Sequence, residues 1–142
     1  DGPVRTNFDA LNTYEVTREG SKVAVLALGD FYDLGEKTVE ALSSTLGIEA
    51  TLVKPYFASG VDQNLLDNLV KDHDVIVTIE DGIIEGGWGQ NIASYLGTSS
   101  ARVLNYGVKK AFYDRVNIAD LMRESHLDPE LIAVDIKQVL GL

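Results

Sequence analysis

The sequence has no cysteine, three prolines, one methionine and one tryptophan. Without thiols there is neither a disulfide framework nor a cysteine nucleophile, and the cytoplasm is the compartment expected for such a chain. Histidine is scarce too: His73 and His126 are the only two, 53 residues apart. A structural zinc site needs four nitrogen or sulfur ligands, usually in close pairs, so no metal ligands are assigned. Positive charge is short, with 12 Lys and Arg against 22 Asp and Glu and a formal net charge of −10. Such a domain repels phosphate backbones, and nucleic acid is not expected as a partner. No apolar run approaches the ~18–20 residues that span a bilayer, so no membrane partner is expected. Residues 1–5 also lack the apolar stretch of a signal peptide.

What remains is ordinary globular composition, 45% hydrophobic and 24% charged over 142 residues. That length suits one domain with a core of its own. Residues 1–13 are polar and are expected to form a linker trailing from upstream domains, leaving 14–142 as the folded unit. Tyr14–Arg18 alternates, and the following Glu19, Gly20 and Ser21 signal a turn. This predicts a hairpin into the next strand, with Tyr14–Arg18 antiparallel at a sheet edge.

Residues 23–28 are continuously apolar, as in strands covered on both faces. Shorter runs at 50–53, 75–79 and 103–106 repeat the theme. Helical patterns lie between them. Gly35, Val39, Leu42 and Leu46 fall on one helix face, and Gly47 stands at the closing position. Asp62 can cap a helix that buries Leu65, Leu66, Leu69 and Val70. Trp88, Ile92, Tyr95 and Leu96 mark a third helix, followed by Gly97. Asp128, Pro129 and Glu130 are a strong helix start, with Ile132, Ile136, Val139 and Leu140 as the buried stripe. Alternating strands and helices predict an α/β fold in three layers, α/β/α, around a mostly parallel sheet.

The unusual segment is 79–90, IEDGIIEGGWGQ, which leaves a buried strand and opens a helix. In open α/β sheets ligands sit outside the strand carboxyl ends, and a glycine-rich helix start suits an anion. The match to a dinucleotide fingerprint fails, because Ile92 stands where a small residue is needed. No phosphate-binding P-loop or G-x-S-x-G motif occurs. Glu80, Asp81 and Glu85 form an acid cluster, which fits dipole stabilisation and amide capping better than paired acid–base catalysis. The glycines fit a tight turn and close backbone approach. Asp30 or Asp33 is expected to cap the first helix, and His73 to be structural. Lys109, Lys110, Phe112, Tyr113 and Arg115 are read as a solvated face. Trp88, Tyr95 and Tyr113 fit either core or interface. No catalytic set emerges, which points to a binding or assembly module, or to chemistry located elsewhere.

Three motifs then carry a resemblance: H-x-x-x-V-T-x-E at 73–80, the G-G-x-G loop at 86–89, and V-L-N-x-G at 103–107. Over roughly residues 14–142 the chain resembles the C-terminal domain of the 1-deoxy-D-xylulose-5-phosphate synthases, thiamine-diphosphate enzymes of the transketolase family. The resemblance implies a mixed five-stranded sheet, four strands parallel and one antiparallel edge strand, with helices on both sides. It implies a complete enzyme that condenses pyruvate with glyceraldehyde 3-phosphate, releasing carbon dioxide, on the way to isoprenoids, thiamine and pyridoxal. Thiamine diphosphate and Mg²⁺ would lie between two upstream domains, so no catalytic or cofactor-binding residue carries over and the fragment alone is expected to be inactive. The implied partners are those upstream domains and a second subunit of a homodimer. Glu80, Asp81, Gly82, Glu85, Gly86, Gly87, Trp88 and Gly89 are the candidate interface or anion loop. Trp88 and the 112–115 segment depart from the better-studied bacterial pattern. The alternative parents are a transketolase or a 2-oxo-acid dehydrogenase β subunit. The alternative of another class is a stand-alone anion-binding module built on the 82–89 loop.

Overall fold

The apolar run after Lys22 becomes the central strand. In a computed structural model, which describes residues 14–55, 60–80, 87–107 and 127–142, it forms β2, Lys22–Ala27. Its residues Val23, Ala24, Val25, Leu26 and Ala27 are wholly buried. The other strands are β1 (Tyr14–Arg18), β3 (Thr51–Pro55), β4 (His73–Glu80) and β5 (Arg102–Gly107). The sheet order is β1-β3-β2-β4-β5. Strands β3, β2, β4 and β5 run parallel, and β1 is antiparallel at the edge.

Side chains alternate across a strand, so each parallel strand feeds two cores. Val23, Val25, Ala27, Val75, Val77 and Ile79 face α1 (Tyr32–Leu46) and α4 (Pro129–Leu140). Ala24, Leu26, Val53 and Ile76 face α2 (Gln63–Leu69) and α3 (Trp88–Tyr95). The result is the expected three-layer α/β/α arrangement.

One expectation is corrected. Tyr14–Arg18 is antiparallel at an edge, but its partner is β3, not the strand that follows it. Both flanks of β2 are taken by β3 and β4, so no position beside it is open. The chain instead crosses the amino end of β3. The Gly20 and Ser21 amides donate to Thr51 Oγ1 (3.0 Å) and Glu49 O (2.9 Å). Gly20 is required there, because a Cβ would stand 2.0 Å from the Glu49 carbonyl oxygen.

The helix caps follow the sequence in three places. Asp62 accepts from Leu65 N at 3.1 Å, and Asp128 accepts from Glu130 and Leu131 at 2.9 and 3.2 Å. Gly47 closes α1 with a left-handed φ of 68°. Asp30 and Asp33 do not cap α1. A 3-10 turn at Gly29–Phe31 leads into that helix, the Tyr32 amide donates to the Gly29 carbonyl, and the N-cap, Phe31, makes no side-chain cap. Gly97 lies two residues past the end of α3, whose C-cap is Leu96.

Helix α1 approaches β2 closely at Gly35, where a Cβ would lie 2.6 Å from Ala27 Cβ and 3.3 Å from Leu52 Cδ1. Gly35→Val therefore has to lift the helix from the sheet. Overpacking of this kind costs about 1–3 kcal/mol, and urea unfolding should show a loss of that size. An unchanged midpoint would contradict this account of the helix–sheet contact.

Candidate functional site

Of the eight candidate residues, the structure describes Glu80, Gly87, Trp88 and Gly89. Asp81, Gly82, Glu85 and Gly86 lie outside the described residues, as do Lys109, Lys110, Phe112, Tyr113 and Arg115. Glu80 is the last residue of β4, and Gly87 is the N-cap of α3. The two ends meet through the Glu80 side chain. Its Oε2 accepts from Gly89 N at 2.6 Å, and its Oε1 accepts from Trp88 N at 3.2 Å. Glu80 is a buried residue, only 5% exposed. Amides in the first turn of a helix have no partner within the helix, and the dipole there favours negative charge. Glu80 supplies both the acceptor and the charge.

Gly89 is small for a visible reason. A Cβ on it would sit 2.5 Å from Thr78 Oγ1, 2.6 Å from Glu80 Oε2 and 2.9 Å from Asn105 Oδ1. Thr78 donates its hydroxyl to Asn105 Oδ1 at 2.6 Å, tying β4 to β5 under the helix start. The V-T-x-E and V-L-N-x-G motifs thus meet at one place. Their separate positions in the chain do not reveal this contact.

Trp88 is buried and reaches the edge strand. Its Nε1 donates to Tyr14 Oη at 2.9 Å, and the rings stack edge to face with centroids 6.2 Å apart. Tyr14 Oη donates in turn to Gly60 O at 2.5 Å, while Tyr14 N donates to Asp62 Oδ2 at 2.9 Å. Burial raises the Tyr14 phenol above its ordinary value, which keeps the hydroxyl a donor. Tyr14 was not among the sequence candidates. Tyr95, by contrast, is partly buried and donates to Asp67 at 2.8 Å.

At the opposite end of the sheet His73 is buried. Its Nδ1 lies 2.8 Å from Leu69 O and 2.6 Å from Asp72 Oδ1, and its Nε2 lies 2.7 Å from Thr51 Oγ1. Two acceptors face Nδ1, so the network assigns the ring proton there and makes Nε2 the acceptor of the Thr51 hydroxyl. The order Thr51, His73, Asp72 has the sequence of contacts of a nucleophile triad. Thr51 is buried, however, and its oxygen also accepts the Gly20 amide, so the set acts as a strut joining β3, β4 and the β1–β2 turn. A hollow of about 310 Å³ lies beside it, lined in part by Glu19, Asn68 and Asp72. Among the described residues no group of three or more His, Cys, Asp or Glu is placed to hold a metal ion.

A family description, the transketolase C-terminal domain, matches residues 12–132. The chain belongs to this family. The domain is 35% identical over 142 residues to a protein of Pseudoalteromonas translucida named 1-deoxy-D-xylulose-5-phosphate synthase, covering 97% of this chain and 22% of that one. It is 32% identical over 143 residues to a protein of the same name from Vibrio vulnificus, covering 98% and 22%. The transketolase C-terminal domain thus spans about a fifth of the length of these relatives. Among solved structures, a split-gene transketolase described as an inactive β4 tetramer superposes with a TM-score of 0.80 at 23% identity. That match covers 98% of this chain and 45% of the other, and it shows a shared fold.

The surroundings of Glu80 shift its protonation. Burial raises it above its ordinary 4.5, and the amides of Gly89 and Trp88 draw it back only in part. The folded state therefore binds this proton more tightly than the unfolded chain. The wild type gains stability from Glu80 as the pH falls from neutral through the raised value, and the gain is complete near the ordinary one. Glu80→Ala leaves two buried amides without an acceptor, which costs roughly 1.5–3 kcal/mol. Denaturant unfolding at a series of pH values should show that loss at pH 7, widening as the solution is acidified toward about 4.5. A loss that shrinks over this window would contradict the burial argument.

Proposed function

We propose that this chain is the C-terminal structural and assembly domain of a 1-deoxy-D-xylulose-5-phosphate synthase, and that it is inactive alone. The observation that carries the reading is the identity across 97% of the chain to a relative of that name, of which it spans only 22%. The parent enzyme then condenses pyruvate with glyceraldehyde 3-phosphate with loss of carbon dioxide, using thiamine diphosphate and Mg²⁺. In this reading residues 1–13 link the domain to upstream domains of the same chain, a second copy completes a homodimer, and the enzyme works in the cytoplasm. No helix among the described residues is long and apolar enough to cross a membrane.

The described residues do not fit thiamine diphosphate. A pyrophosphate brought to the start of α3 would meet Trp88 and Gly89 amides already bonded to Glu80, and the buried carboxylate would repel it. The same chemistry disfavours the stand-alone anion-binding module. The role left to Glu80, Gly87, Trp88 and Gly89 is packing: they fasten β4, β5, α3 and β1 together at the sheet's carboxyl edge. The relatives' shared name favours the synthase over a transketolase or dehydrogenase β subunit as parent.

Calorimetric titration of the 142-residue chain with thiamine diphosphate and Mg²⁺ tests this reading. No binding heat is expected up to millimolar cofactor. Micromolar binding would place cofactor chemistry in this domain and overturn the proposal.

A further inference from the structure

Strand β1 runs antiparallel to β3, so its first residue, Tyr14, lies at the carboxyl edge of the parallel strands. Tyr14 therefore lies at the edge where Glu80 and the start of α3 are found. Trp88 connects the two with both of its N–H groups. The backbone amide goes to Glu80, and the indole goes to Tyr14, 74 residues away in sequence. Tyr14 is itself held from two further points, Gly60 and the α2 cap Asp62.

We infer that Tyr14 is a positioning residue for the Glu80 clasp: through the Trp88 indole it aims the Trp88 amide at the carboxylate, so a disturbance where the chain joins β1 is felt at the start of α3. The inference does not depend on the parent enzyme proposed above. Its physical basis is that Trp88 is one rigid unit in that contact. Its ring is wedged against Tyr14 in the core shared by α2 and α3, and its ring and amide are bonded in different directions. Removing the Tyr14 hydroxyl leaves the indole N–H and the Gly60 carbonyl without partners. The wedge then relaxes, and the amide holds the carboxylate less well. A carboxylate that loses a donor becomes easier to protonate, so the Glu80 midpoint moves up.

The surroundings make that midpoint readable. Helix α3 carries no charged side chain from Trp88 to Tyr95, and Thr78 and Asn105 are neutral. Among the described residues, the other charged groups at this end of the sheet include Glu15 on β1, Asp30 and Asp33 after β2, Lys54 on β3, Asp62 before α2, and Asp128 and Glu130 at the start of α4; Asp81 and Glu85 lie outside the described residues. Lys22, Asp74 and Arg102 stand at the opposite end of their strands. Trp88 is the only tryptophan, so its fluorescence reports on this one place.

The test is a pH titration of Trp88 fluorescence in the 142-residue chain, with the Gly89 amide resonance followed in parallel. The wild type should show a transition that Glu80→Gln abolishes. Tyr14→Phe should raise the midpoint by about half a pH unit, roughly a threefold change in proton affinity. Tyr106→Phe is the matched control. It removes a hydroxyl bonded to Asp135 at 2.7 Å on the other face of the sheet, and it should leave the midpoint in place. Trp88→Phe, read by the Gly89 resonance, should match the Tyr14→Phe shift, and the double variant should add nothing further. This arm also stands if Tyr14→Phe fails to fold. An unmoved midpoint in Tyr14→Phe or Trp88→Phe, an equal shift in Tyr106→Phe, or additive shifts in the double variant would each overturn the inference. So would a wild-type transition that survives Glu80→Gln.

Discussion

A buried carboxylate has to be answered by donors, and the arrangement at the sheet's carboxyl edge follows from that need. Burying a charge without partners is prohibitive in a protein interior. Glu80 ends the longest strand of the sheet and has little exposure, so its two oxygens must find N–H groups. The start of α3 has N–H groups that the helix cannot satisfy itself. Each therefore meets the other's unsatisfied groups. The pairing brings the helix so close that only glycine fits at position 89, against Thr78 and Asn105. The same contact turns the Trp88 ring inward to Tyr14, which fixes where the edge strand begins.

The first amides of α3 are thus already occupied despite their position. The carboxyl edge of an open α/β sheet is where ligands usually bind, and a helix start there usually receives an anion. Here the anion is a side chain of the domain itself. The domain keeps the geometry of a binding crevice and uses the start of α3 for cohesion.

The layers, the succession of strands and helices after β1 and most helix ends were legible from the residues. Continuous apolar runs such as 23–28 identify parallel strands because both faces are covered. Asp62, Asp128 and Gly47 announce helix ends because their chemistry is local. The partner of β1 was not legible, since alternation tells which face a residue takes and not which neighbour the strand has. The expected caps at Asp30 and Asp33 failed because a 3-10 turn at Gly29–Phe31 leads into the helix and puts Phe31 at its N-cap, and side-chain pattern does not register such a turn. At the candidate site the sequence showed an acid and glycines beside a helix start. It did not show that Thr78, Asn105 and Tyr14 close around them, because those contacts bridge 27 and 74 residues.

The measurement that bears most directly on the central claim is amide hydrogen exchange at Trp88 and Gly89. First-turn helix amides without an acceptor exchange rapidly. If the Glu80 carboxylate holds them as described, both will exchange as slowly as the interior amides of β4 in the wild type and fast in Glu80→Ala. Rapid exchange at both positions in the wild type would mean that the clasp does not exist in solution, and the account of this edge would fall with it.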